Sequence, residues 1–171
     1  MKLSRIIKHL ITIVVSLIIV LTIQAFVISG AVIEHSHMEP AFKKGDRVIY
    51  NKIDNLFNLI NRDDVIMYKH GDEAYTSRVI GLPGESVALK DHHLYINDRK
   101  VSNNSYAVAH LNMEEIKDSE TNIVPPGSYL VLNDVADAKQ DSRSFGFIQK
   151  KDIMGNVNVT YFPFNRMKTN F

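Results

Sequence analysis

The chain has 171 residues, 45% of them apolar and 23% charged, which excludes a disordered chain and a polytopic membrane protein and leaves room for one domain plus a membrane segment. It contains no cysteine, so a disulfide framework, a thiolate zinc site and a cysteine nucleophile are excluded. The net charge is +1 and the basic residues form no long run, so nucleic-acid binding has no electrostatic support.

Residues 1–9 form a short basic tail carrying Lys2, Arg5 and Lys8, and no acid occurs before Glu34. Leu10 to Gly30 then runs without a formal charge. A helix of that length, at ~1.5 Å per residue, crosses a hydrocarbon core of roughly 30 Å. The polar members Thr12, Ser16, Thr22 and Gln24 are mild, and a helix or a neighbour can satisfy them. The basic tail predicts a single-pass anchor with its N-terminus inside and residues 31–171 outside, a type II arrangement at the cell membrane. A cleavable leader, with Ser29 and Ala31 as the small residues, is the competing reading. Its apolar core is usually about 7–15 residues, shorter than this run.

Short strands and turns follow. Arg47–Tyr50 comes after a Gly45-Asp46 turn, and Val65–Tyr68 after Asp63-Asp64. Tyr75–Ile80 favours a strand that stops at Gly81-Leu82-Pro83-Gly84. Leu94–Ile96, Asn97-Asp98 and Lys100-Val101 read as a hairpin. Residues 106–121 begin apolar and turn acidic, as a short helix or an ordered loop would. After Pro125-Pro126-Gly127 a strand resumes over Ser128–Leu132. Ile153 to Tyr161 alternates, with Ile153, Gly155, Val157, Val159 and Tyr161 on one face, the pattern of a half-buried antiparallel strand. No βαβ rhythm or repeat is present. The soluble part is expected to be mainly β, in a barrel-like or two-sheet fold.

Four segments in this order resemble bacterial type I signal peptidases, membrane-anchored serine peptidases that remove signal peptides from secreted preproteins. They are Met38-Glu39-Pro40-Ala41-Phe42 with Gly45-Asp46-Arg47-Val48 and Asn51-Lys52; Asp63-Asp64-Val65-Ile66; Tyr75-Thr76-Ser77-Arg78-Val79-Ile80-Gly81-Leu82-Pro83-Gly84-Glu85; and Asp141-Ser142-Arg143-Ser144-Phe145-Gly146. The resemblance covers nearly the whole chain. It implies the signal-peptidase antiparallel β-fold over 31–171, with 85–127 as a family-variable insert. The size, short tail and single anchor look like the staphylococcal members.

The family's chemistry needs a serine hydroxyl and a neutral lysine whose pKa is lowered by apolar surroundings. By resemblance the nucleophile position is His37 and the lysine position is Ser77. Ser36 is one residue early, and in an extended segment it faces the other way. The family's Gly-Asp-Asn-Arg corresponds to Asn133-Asp134-Val135-Ala136, where only Asp134 matches. The serine that supports the lysine falls on Lys139, and the small residue two before the nucleophile falls on His35. The scaffold positions Pro40, Gly45, Asp46, Arg78, Gly81, Pro83, Gly84, Asp141, Arg143 and Gly146 all match, and Asp141 with Arg143 is expected to form a structural ion pair. This is the pattern of a catalytically inactive homologue of staphylococcal type. Such a protein would bind preprotein signal peptides or partner an active peptidase.

Two other readings stay open at this level. Ser77 as nucleophile with His37 as base has a similar summed reach, but it moves the nucleophile away from the usual oxyanion donors. His35-x-His37, flanked by Glu34 and Glu39, has donor types that suit a metal. Two histidines are a thin signal, and His92-His93 has no spacing logic. No metal or cofactor is expected. Ile33, Phe42, Tyr75 and Thr76 fall near the positions where the family holds signal-peptide side chains, and they suit a core or a sheet face equally well.

Overall fold

A computed structural model of the chain describes residues 2–90, 93–101, 116 and 122–169. The stretch 106–121 lies outside the described residues apart from Ile116, and so does His92.

Helix α1 spans Lys2–Phe26. Its segment Arg5–Phe26 is long and apolar enough to cross a membrane, and none of it is buried against the rest of the protein. Thr12 and Thr22 donate their hydroxyls to the carbonyls of Lys8 and Ile18, at 3.0 and 2.8 Å, which satisfies them inside the helix. The run expected to be an anchor as far as Gly30 is corrected here. The helix stops at Phe26, and Ile28–Val32 is strand β1. A competing partner ends the helix. β1 pairs antiparallel with β2 (Arg47–Asn51), from Ile28 opposite Asn51 to Val32 opposite Arg47. Lys52 closes the junction, its backbone N–H donating to the Val27 carbonyl at 2.8 Å and its ammonium to the Ala25 carbonyl at 2.9 Å.

A short helix α2 (Ile53–Leu56) follows β2, and then come β3 (Val65–His70) and β4 (Glu73–Gly81), joined by a tight turn at Gly71. β5 (Val87–Lys90), β6 (His93–Ile96) and β7 (Arg99–Lys100) make a separate three-stranded sheet. Asn97 and Asp98, both with positive φ, turn the β6–β7 hairpin. The chain returns through β8 (Ser128–Leu132), helix α3 (Ser142–Phe145), β9 (Ile148–Gln149), β10 (Ile153–Phe162) and β11 (Lys168–Thr169). The main sheet runs β1-β2-β10-β3-β4-β8-β9, with β11 also on β10, and every pairing is antiparallel.

β10 is the spine of that sheet. It pairs with β2 on one side and with β3, then β11, on the other. Its register against β2 shifts between Val157 and Val159 and between Thr160 and Phe162. Each shift inserts a residue and re-aims the side chains after it. The strict alternation expected for Ile153–Tyr161 therefore fails. Asn156 and Thr160 are buried, at 7% and 2% exposure, while Val159 and Tyr161 are only half-buried. Asn156 is accommodated by donating to the Asp64 carboxylate at 3.0 Å.

The backbones of β10 and β2 approach too closely at Gly155 for any side chain. A Cβ there would lie 2.4 Å from the Asn51 carbonyl oxygen and 2.8 Å from the Tyr50 ring. Gly155→Ala is expected to destabilise the protein by about 2 kcal/mol or more, as overpacking against a backbone does. Thermal unfolding in detergent should show a Tm lower by several degrees, and an unchanged Tm would mean that the two strands separate more readily than their pairing implies.

Candidate active site

Three chain segments meet beside β4. The first is the turn His37–Ala41 after β1, the second is β4 itself, and the third is the loop 133–141 between β8 and α3. The His37 carbonyl accepts the Val135 backbone N–H at 3.0 Å, which ties the first to the third. β4 alternates, so Tyr75, Ser77 and Val79 share one face and Thr76 and Arg78 share the other. In the β3–β4 register Tyr68 lies opposite Tyr75 and Ile66 opposite Ser77, which brings the Tyr68 hydroxyl diagonally to Ser77.

Ser77 is fully buried. Its hydroxyl donates to the Asn133 side-chain oxygen at 2.7 Å and lies 3.0 Å from the Tyr68 hydroxyl, which is left to donate to it. Asn133 is fully buried too. Its amide nitrogen donates to the carbonyls of Ala138 and Gln140 at 2.7 and 3.2 Å, and its backbone N–H donates to the Asp141 carboxylate at 2.8 Å. Every polar atom of this group has a partner within the protein. Burial pushes the Tyr68 hydroxyl well above its ordinary pKa, against the smaller opposing effect of its hydrogen bond with Ser77, so it stays protonated as a donor.

His37 points elsewhere. Its ring stacks on His35 at 4.9 Å between centroids, and His35 stacks on Tyr75 at 5.0 Å, with interplanar angles of 12° and 6°. Phe145 meets the Tyr75 ring edge-on at 5.0 Å and stacks on His70 at 4.0 Å. The result is an aromatic row beside Tyr75 of β4. Glu73 closes it from below, accepting the Tyr75 hydroxyl at 2.6 Å and lying 4.0 Å from Nε2 of His35. That hydrogen bond, then burial, raise the Tyr75 pKa. Burial lowers the His37 pKa, the His35 charge lowers it further, and the Asp141 carboxylate opposes both.

Two sequence-level alternatives fall on this geometry. In an exchanged dyad the Ser77 proton would go to the His37 imidazole, but it goes to an amide oxygen that has no useful basicity. In a metal site His35 and His37 would aim nitrogens at one point, but their rings lie face to face. Among the described residues no group of three or more His, Asp or Glu is placed to hold a metal. Ser36 sits exposed at a bend just before the turn, and Glu34 and Glu39 are exposed as well.

The matched scaffold residues surround this centre. Arg143 donates to both Asp141 carboxylate oxygens at 2.9 and 2.6 Å and to the carbonyls of Ala136 and Ala138 at 2.6 and 2.9 Å, while Asp141 caps α3 by accepting the Arg143 backbone N–H. Arg78, on the outer face of β4, clasps Asp134 at 2.8 and 2.6 Å. Burial alone would lower its pKa, but the Asp134 hydrogen bonds and charge outweigh that and hold the guanidinium above its ordinary value. Asp46, after Gly45 at φ +91°, accepts the Lys43 N–H at 2.8 Å and is met by Arg166. Pro40 lies exposed in the 37–41 turn. Gly81 is hemmed in, since a Cβ would meet Val87 and Val124 at 2.9 Å. Ile33 and Phe42 are enclosed in an apolar cluster with Met38, Val48 and Met67, and Tyr75 and Thr76 are buried on β4.

Reading the sequence left out Tyr68, Glu73 and the role of Asn133. The β3–β4 turn at Gly71 was the available signal, because it sets the register that brings Tyr68 to Ser77.

A family model described as "Signal peptidase, peptidase S26" matches residues 6–162. "Inactive signal peptidase IA" of Staphylococcus aureus (strain COL) is 44% identical over 98% of this chain and 98% of its own length. "Signal peptidase IB" of the same strain is 30% identical over 98% of this chain and 95% of its own. A crystal structure of a signal peptidase I from Enterococcus faecalis matches 57% of this chain and 95% of its own, with a TM-score of 0.49 and 31% identity.

Two measurements check the energetics of the site. The Asp141 and Arg143 side chains are 0% and 2% exposed, so Asp141→Ala leaves a buried guanidinium uncompensated. It should cost about 3–5 kcal/mol, and a loss below 1 kcal/mol in denaturant titration would show that the pair is not structural. His37 has a pKa below its ordinary 6.5 when folded, so the unfolded chain binds more protons in that range and stability rises with pH there. This contribution is complete above about pH 6.5 and is lost as the pH falls through the lower folded value. Tm measured against pH should therefore fall less steeply on acidification in His37→Asn than in the native chain, and an identical slope would remove His37 from the account.

Proposed function

The chain belongs to the signal peptidase family, peptidase S26, and on that footing we propose that it is a membrane-anchored pseudo-enzyme of the family, with the nucleophile position taken by His37 and the lysine position by Ser77. Its relative in Staphylococcus aureus carries the name "Inactive signal peptidase IA", which supports the same reading. In this proposal residues 1–9 remain inside, α1 is the single-pass anchor, and the body from β1 onward lies outside the membrane as a type II protein. The 85–127 stretch, which contains β5–β7, is the family-variable insert.

One observation carries the reading: the Ser77 hydroxyl is sealed between Asn133 and Tyr68. At the position where the family holds its base, no group can take a proton at neutral pH. The serine at that position is short, and the space a lysine would need is filled by the Asn133 side chain, which stands where the family has glycine. A long residue has been exchanged for a short one on β4, and a residue without a side chain for a larger one across from it. Losing both members of such a catalytic pair removes several orders of magnitude in rate.

With catalysis gone, the retained scaffold is suited to binding. The Tyr75–His35–His37 row lies beside the Glu73–Ser77 stretch of β4, which pairs with β3 on one edge and comes before the pairing with β8 on the other, and there an extended preprotein segment would pair. We assign to this protein either the holding of signal-peptide segments or the partnering of an active relative.

The purified full chain is expected to leave a preprotein with an Ala-x-Ala site intact, and cleavage at stoichiometric amounts would overturn the assignment. A stepwise restoration tests the cause. His37→Ser with Ser77→Lys should remain inactive, because the new lysine meets the Asn133 amide. Adding Asn133→Gly and Lys139→Ser should bring measurable cleavage. Activity in the double variant alone would show that Asn133 does not block the site.

A further inference from the structure

The insert presents a basic face assembled across three strands. Val87 of β5 and Leu94 and Ile96 of β6 turn inward and pack with Ile80, Leu130 and Leu132. Side chains alternate along a strand, so Lys90, His93 and Tyr95 stand on the other face. The register sets Lys90 opposite His93, and Lys100 of β7 opposite Tyr95. Lys90, His93 and Lys100 are exposed, and so is Arg99 beside them on the outer strand. Nζ of Lys90 lies over the Tyr95 ring, 5.5 Å from its centroid. None of these four basic side chains has a carboxylate partner among the described residues. Asp98 sits in the β6–β7 turn, and Glu85 at the base of the insert is already held by Arg62 at 2.8 Å. Basic groups placed across from one another with no acid between them repel, and an anion laid over the face relieves that cost.

We propose that this face binds a linear polymer of phosphate groups, with its charges on Lys90, Arg99 and Lys100 around the Tyr95 ring. The layout favours a polymer over a single phosphate. Lys90 and Lys100 stand two strands apart, roughly 10 Å, and exposed cations spread over a sheet gain from several weak contacts and the counter-ions those release. The sheet is ordered before any ligand arrives. The Ser86 N–H donates to the Asn97 side-chain oxygen at 2.9 Å, and the Asn97 N–H returns a bond to the Ser86 carbonyl at 2.9 Å, so binding does not have to order the hairpin. A non-nucleic polymer fits better than a nucleic acid, because one aromatic side chain offers little stacking to successive bases. That choice also rests on the type II reading of α1, which puts the insert outside the membrane. The face forms no basic run in the sequence; strand pairing collects it.

The chain has no tryptophan and no cysteine, so Tyr95→Trp introduces a single fluorescent reporter on the face. The full chain carrying it is held in phosphatidylcholine nanodiscs and titrated with linear polyphosphate. A saturable change in emission is expected, and orthophosphate at the same phosphate concentration should give none. The logarithm of the binding constant should fall against that of the salt concentration with a slope of about −2, and Lys90→Gln and Lys100→Gln should each make it shallower by about 0.7. Lys44→Gln with Lys151→Gln removes two charges at exposed residues elsewhere and should leave affinity and slope as they were. No saturable change, an equal response to orthophosphate, or equal weakening by Lys44→Gln with Lys151→Gln overturns the proposal. Tighter binding of a single-stranded oligonucleotide with the same number of phosphates overturns it as well, because the face would then be one for nucleic acid. Placement is read separately: Lys151→Cys should react with a membrane-impermeant maleimide on intact cells. If it does not while the titration succeeds, the type II reading has failed rather than the basic face.

Discussion

The Asp141 carboxylate holds together the part of the molecule that matters most. It is fully buried, which would be costly for an unpaired charge, and it is paid for by the Arg143 guanidinium and two backbone N–H groups. One of those N–H groups belongs to Asn133, so the same carboxylate that caps α3 also sets where the Asn133 side chain lies. From there the order passes to Ser77 and Tyr68, and through the Val135–His37 contact to the turn 37–41. The buried Asp141–Arg143 pair and the hydrogen-bonded cluster around Ser77 are thus one connected network.

That network leaves no proton acceptor at Ser77. A buried lysine awaiting a serine proton needs space and an apolar wall. Here the space holds a hydrogen-bonded amide whose donors and acceptor are all satisfied, and a tyrosine whose raised pKa keeps it neutral. No buried charge remains to be neutralised at position 77. The histidines at 35 and 37, which in sequence suggest reactivity, stack on each other, with His35 also on Tyr75, and burial together with their mutual repulsion disfavours protonation at His37.

The fold elements with local signals were readable before any coordinates. The Asn97-Asp98 hairpin, the Gly81–Gly84 stop and the strands around Tyr75 and Ser128 follow from turn chemistry and alternation. Two boundaries failed for non-local reasons. The apolar run past Phe26 looks like continued helix until β2 is available to pair with Ile28–Val32. The alternation of Ile153–Tyr161 is broken by register shifts that exist only because β10 must serve β2, β3 and β11 together. Likewise Tyr68 carries no motif, and its meeting with Ser77 depends on cross-strand register.

The sequence by itself determined the family, the apolar first segment and the β character of the body, because each of these is written in residue identity and short-range spacing. Only the tertiary structure decided what surrounds Ser77. Asn133 lies 56 residues from Ser77, and whether its amide reaches the Ser77 hydroxyl depends on how β4 and β8 pair and on a buried carboxylate that holds the following loop. Distances of 2.7 Å between residues so far apart along the chain come from packing and are not recorded in the order of the residues.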